Sequence, residues 1–93
     1  MLEMNKKYTL NDKIVIKNIL NETYFMLDGN SGKQYNLTEM EYEIIDMFVK
    51  GNTIGAIANR LQKEYDADNT QIEHDLLSYV RTLLAYDLLT EIL

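Results

Sequence analysis

The stretch "YFMLDGNSGKQYNLTEMEYEII", Tyr24 to Ile45, decides the fold, because its hydrophobic period changes halfway along. Up to Leu37 it alternates as a strand does; after Thr38 its apolar residues recur at helical spacing. The first half reads as a β-hairpin. "TYFMLD", from Thr23, is an apolar strand with few polar interruptions, so both of its faces are expected to be covered. "GNSG", Gly29 to Gly32, supplies the positive-φ positions of a hairpin loop. "KQYNL" then forms a more polar strand, with Tyr35 and Leu37 on one face and Gln34 and Asn36 on the other. No strand-like segment follows before the helices begin. One edge of "KQYNL" is therefore left open, and an open edge is a template for pairing with another chain.

The second half opens a helix with a capping box. The Thr38 hydroxyl is placed to accept from the Glu41 amide, and the Glu41 carboxylate to reach back. Leu37 precedes the cap and is expected to staple onto Tyr42. Met40, Ile44, Met47 and Phe48 form one buried stripe. Gly51 is the expected left-handed stop. Thr53 caps a second helix with the stripe Ile54, Ile57, Ala58, Leu61 and Tyr65. Asn69 or Thr70 caps a third, with Thr70 to Glu73 as a second capping-box pattern and Ile72, Leu76, Tyr79, Val80 and Leu83 as the stripe. "DLLTEIL" ends the chain as a short strand or a docked apolar tail.

Upstream of the hairpin, "IVIKNIL", Ile14 to Leu20, is β-branched and reads as a strand, with a tight turn at Asn21-Glu22. Tyr8 to Asp12 reads as an extended lead-in, and residues 1–7 as a frayed end. The order is three strands, three helices and a tail. This is an α+β chain with a winged-helix-like architecture, a three-stranded antiparallel sheet ahead of a three-helix bundle. Its 93 residues suit one domain.

Composition narrows the function. With 46% hydrophobic and 26% charged residues the chain is an ordinary globular one. It has no Cys, which excludes disulfides and thiolate metal sites. No apolar run is long enough for a membrane span, and the N-terminus lacks the h-region of a signal peptide, so a cytoplasmic protein is expected. The net charge of −6 is uneven. In residues 1–33 the bases Lys6, Lys7, Lys13, Lys17 and Lys33 outnumber Glu3, Asp12, Glu22 and Asp28 by one, so the helical part carries all of the acidity. Such a surface repels phosphate backbones and argues against nucleic-acid binding.

Reactive groups are sparse. His74 is the only His, off the core stripe between Glu73 and Asp75, and reads as a solvated residue. Ser31 and Ser78 lack the setting of a nucleophile. "DADNT", Asp66 to Thr70, starts like a calcium loop but continues without its glycine or its bidentate glutamate, and reads as a helix-capping loop. "GNSG" has no Lys-Ser/Thr or helix start after it, so it is not a phosphate loop. No catalytic centre, metal or cofactor is expected. Seven Tyr against two Phe suit half-buried, interface-like positions, and Tyr24, Tyr35, Tyr79 and Tyr86 are candidates to line a groove between sheet and third helix.

The ordered features resemble the coenzyme PQQ synthesis protein D family and its relatives, the recognition elements for ribosomally made, post-translationally modified precursor peptides. The resemblance rests on an apolar strand leading through Asp28 and Gly32 to "YNL" and Thr38, on "FVKGNT" closing the first helix, on the I-x-x-I-A-x-x-L-x-x-x-Y pattern of the second, and on the I-x-x-D-L-L-x-Y-V-x-x-L-L-x-x-x-L-L pattern of the third. It runs from about Ile14 to Leu89. It implies a non-catalytic module that binds the leader segment of a precursor peptide. The leader would add as a strand to the third strand, lie against the third helix, and be delivered to a maturation enzyme such as a radical SAM protein, a cyclodehydratase or a lasso-peptide leader peptidase.

The residues themselves point the same way. Strand addition draws affinity from main-chain hydrogen bonds and specificity from alternate side chains. Lys33, Gln34, Tyr35, Asn36 and Leu37 offer the edge, and Asp75, Leu76, Tyr79, Val80 and Leu83 the opposing wall. The same edge makes an edge-strand dimer the alternative to a monomer. A winged-helix DNA-binding regulator is the second reading and a small enzyme the third. Against the regulator, the third helix carries Arg81 as its one base beside Glu73 and Asp75.

Overall fold

The structure is a computed structural model and describes residues 4–93. The chain forms β1 (Lys7–Leu10), β2 (Ile14–Ile19), β3 (Thr23–Asp28), β4 (Gln34–Leu37), α1 (Glu39–Val49), α2 (Ile54–Tyr65), α3 (Asn69–Ala85) and β5 (Leu89–Ile92). The α+β, winged-helix-like arrangement is the expected one. Strands β2, β3 and β4 form an antiparallel sheet in that order, with Ile16 opposite Met26 and Met26 opposite Tyr35. Strand β4 starts at Gln34, and Lys33 belongs to the loop before it.

That register sorts the side chains. Ile14, Ile16, Met26, Tyr35 and Leu37 share the face that packs onto the core, where Ile14 and Met26 are buried. Val15, Lys17, Ile19, Phe25 and Leu27 share the other. Val15 and Ile19 are exposed there and Phe25 and Leu27 are half-buried, so β3 is not covered on both faces as its composition suggested. The first turn also shifts. It is built on Leu20 and Asn21, both at positive φ, with the Glu22 amide donating to the Ile19 carbonyl at 3.0 Å. Asn21 suits that conformation and Leu20 does not.

The chain ends provide the largest difference from expectation. Residues 7–10 are a strand, and β1 pairs antiparallel with β5, Lys7 opposite Ile92 and Leu10 opposite Leu89. Residues 1–3 lie outside the described part. Met4 and Lys6 are tied down: their carbonyls accept from the amides of Gly55 at 2.8 Å and Ile54 at 3.0 Å, at the start of α2. The amides of a helix's first turn have no partner within the helix, and the incoming chain satisfies two of them.

Helix α1 carries the expected capping box at Thr38 and Glu41, and Gly51 follows it at φ 95°. Its buried residues are Ile44, Ile45, Met47 and Phe48. Ile45 joins because α1 packs on β1 as well as on the sheet and α2, which widens its apolar face beyond one stripe. Met40 instead is 38% exposed. Thr53 caps α2 through the Ala56 amide. Tyr65, at the end of its stripe, is exposed and reaches Glu43 with its hydroxyl at 3.3 Å. Helix α3 begins one residue earlier than an Asn69 cap required and two earlier than a Thr70 cap. Its cap position is Asp68, with no side-chain capping bond, so Asn69 and Thr70 are already helical.

Candidate functional site

Two features converge beside the β4–α1 corner. One is the edge of β4. The amide of Asp28 donates to the carbonyl of Lys33 at 2.9 Å, and on the far side of β3 the amide of Gly29 donates to the carbonyl of Lys13 at 2.8 Å. Backbone groups alternate in direction along a strand. Counting from Lys33, Tyr35 and Leu37 turn their amides and carbonyls toward β3, opposite Met26 and Tyr24. Gln34 and Asn36 turn theirs outward. No strand pairs with that side of β4 among the described residues. The Gln34 and Asn36 side chains hydrogen-bond each other at 3.2 Å on the solvent face of the sheet, which leaves their backbone groups clear. Side-chain hydrogen bonds organise the loop where it meets this edge. The Asp28 carboxylate accepts from the Asn30 amide at 2.8 Å, and that bond holds its carboxyl below the usual carboxylate range.

The other feature is a groove of about 260 Å³ where the start of α1, the end of α2 and the first half of α3 splay apart. Ile44, Leu61, Ile72 and Leu76 are buried residues of its lining, and Met40, Tyr65 and Tyr79 line it with Glu41, Gln71 and Asp75. Tyr79 is half-buried. Its phenol oxygen is closed off from solvent and has no hydrogen-bond partner among the described residues. Burial first, and the negative charge of Glu41 second, push its ionisation well above the usual tyrosine value.

The expected site residues divide by depth. Tyr35, Leu37 and Tyr79 are partly buried against the core, Gln34 and Asn36 are exposed on the edge strand, and Asp75 is exposed on the groove rim. Leu76 is buried as part of the groove's lining. Val80 and Leu83, at 2% and 3% exposure, are core residues behind it. Lys33 is exposed in the loop. Of the four tyrosines expected in one groove, Tyr79 lines it. Tyr35 pairs its ring with Tyr86 at 6.5 Å, joining β4 to the end of α3, and Tyr24 packs on Tyr42 of α1 at 5.0 Å. Met40, Glu41 and Gln71 join the lining without a signal in the sequence that marks them for it. The helical period assigns Met40 to the core, but it lies in the first turn of α1 and is exposed.

Other chemistry finds little to build on. The described residues include no cluster of His, Cys, Asp or Glu arranged to hold a metal ion. No helix among them is long and apolar enough to cross a membrane. Helix α3 has no basic stripe for a DNA backbone, with Arg81 its one Lys or Arg and Glu73 and Asp75 exposed or half-exposed near its start.

A small sheet with one open edge, set against three helices that leave an apolar groove at its end, defines a winged-helix-like domain. The chain belongs to the coenzyme PQQ synthesis protein D (PqqD) family, whose model matches residues 23–89. Among solved structures, it is similar to a lasso peptide synthetase B1 complexed with the leader peptide. The TM-score there is 0.81 at 23% identity, over 90% of this chain and 98% of that one. It is also similar to TbiB1 in complex with the TbiA(beta) leader peptide, at TM-score 0.79 and 23% identity, over 87% and 93% of the two chains. No curated protein matches the sequence.

Proposed function

We propose that this protein is a non-catalytic recognition module that binds the leader segment of a ribosomally made precursor peptide and presents it to a maturation enzyme. The observation that carries the reading is the open side of β4, where Gln34 and Asn36 each hold an amide and a carbonyl outward with no strand beside them among the described residues. A leader in extended form completes that ladder with up to four main-chain hydrogen bonds, a pattern of recognition that is common at free sheet edges. Family membership supports the reading, and both solved relatives hold a leader peptide.

Main-chain bonds fix the peptide without reading its sequence. Tyr35, Leu37, Leu76 and Tyr79 offer the apolar surface on which its alternate side chains settle, with Asp75 at the rim and Lys33 where the edge begins. Val80 and Leu83 support that surface from the core. The same edge is where a second copy of the chain would pair, so leader and self-pairing compete for it.

The test is calorimetric titration with the synthetic leader of any short precursor-like peptide encoded beside this protein's gene. Binding at micromolar concentration or tighter is expected, unaffected in Val15→Thr on the opposite edge strand and lost in Asn36→Pro. Absence of binding by the unaltered protein overturns the proposal.

A further inference from the structure

The groove between α1 and α3 has a charge pattern that the strand-addition reading does not use. Among the described residues its only acidic side chains are Glu41 and Asp75, and neither Lys nor Arg lines it. Glu41 accepts from the Thr38 amide at 2.8 Å; Asp75, exposed at the rim, accepts from the Gln71 side-chain amide at 2.8 Å and lies 3.6 Å from His74 Nδ1. The rest of the lining is largely apolar and includes Tyr65 and Tyr79. A cavity of roughly 150 Å³ holds a benzene molecule. A groove of about 260 Å³ therefore takes one aromatic or branched side chain together with part of its neighbour. Two carboxylates on the walls attract a cation there.

The groove also lies next in line after the edge. Strand β4 ends at Leu37, Thr38 follows, and Met40 and Glu41 on the next turn of chain are groove walls. A peptide leaving the Leu37 end of β4 meets it directly. Building on the strand-addition reading, we propose that this groove is a specificity pocket that selects an apolar side chain flanked by lysine or arginine in the bound peptide, and rejects an acidic one.

Three probes of one ring size test this without the leader: phenethylammonium, 2-phenylethanol and 3-phenylpropionate, titrated into ¹⁵N-labelled protein. The expected result is amide shifts at Gln71, Asp75 and Tyr79, with phenethylammonium binding about fivefold tighter than the alcohol, the worth of one exposed ion pair. The carboxylate should bind weakest. Combined E41Q and D75N should bring the ammonium down to the alcohol. The amide oxygen that E41Q introduces still accepts from the Thr38 amide, so the helix cap survives the change. Equal binding of all three probes, a preference for the carboxylate, or shifts confined to other surfaces would overturn the proposal. Leader binding that is lost in Asn36→Pro yet shows no preference for basic residues would retire the pocket and leave strand addition standing.

Discussion

Thr38 and Glu41 hold each other by two hydrogen bonds running in opposite directions: the Glu41 amide donates to the Thr38 hydroxyl at 3.1 Å, and the Thr38 amide to the Glu41 carboxylate at 2.8 Å. This exchange locks the corner where edge strand becomes helix. Thr38→Ala removes half of it and should cost about 1 kcal/mol in urea unfolding, while Thr38→Ser should cost a few tenths at most.

The direction of the β4 amides gives a paired experiment. Tyr35 donates inward to β3, so Tyr35→Pro breaks the existing sheet and should destabilise by about 2 kcal/mol. Asn36 faces outward, so Asn36→Pro should leave stability within about 1 kcal/mol of the parent and still lower leader affinity at least about tenfold. Equal stability losses in denaturant would mean that the two amides are not distinguished as described.

The stranded phenol of Tyr79 should cost the free protein stability. Tyr79→Phe removes an unsatisfied buried hydroxyl and keeps the ring, and should raise stability by about 1 kcal/mol. Calorimetry on the same variant reads whether a bound leader satisfies that hydroxyl: weaker leader binding by the more stable variant is the expected sign.

Leu20 sits at φ 54° with 84% of its surface exposed, a conformation that favours Asn or Gly and a place that gains nothing from an apolar side chain. Leu20→Asn should stabilise by roughly 0.5–1 kcal/mol, read as a raised thermal midpoint.

Glu43 and Glu64 face each other beside Arg60 and Tyr65. Burial, then the neighbouring Glu64, raises Glu43 above the ordinary value of 4.5, while the bond from Arg60 lowers Glu64. A raised carboxyl favours the folded state at low pH and loses that contribution as pH rises through its folded value. Replacing it by Glu43→Gln removes the like-charge contact, so the variant should gain stability near neutral pH. The gain should shrink as pH falls through the ordinary range, and denaturation at a series of pH values checks it.

What the sequence disclosed was what neighbours along the chain decide. The capping box, the Gly51 stop and the alternation of Tyr35 and Leu37 against Gln34 and Asn36 are local, and each is found where its pattern placed it. The pairing of β1 with β5 joins two four-residue segments from opposite ends of the chain, too short to announce a period and unsupported by any turn between them. The groove was hidden for a related reason. Met40 and Tyr65 repeat at core spacing, but each lies at the end of its helix, where the stripe runs past the surface it packs against. A period says which side of a helix turns inward; it does not say how far along the helix the neighbour extends.

The clasp of β1 on β5 makes the backbone nearly a ring. Lys7 stands across from Ile92, so the two strands' outer ends lie side by side. A ring can be cut anew. New ends opened at Asn30-Ser31, in the exposed loop between β3 and β4, would leave each strand and helix whole. They would also separate the docking strand from its hairpin partner in sequence but not in space. In such a circular permutant β4 becomes the leading segment of the chain, and a leader peptide could be fused ahead of it to make a recognition module that carries its own ligand.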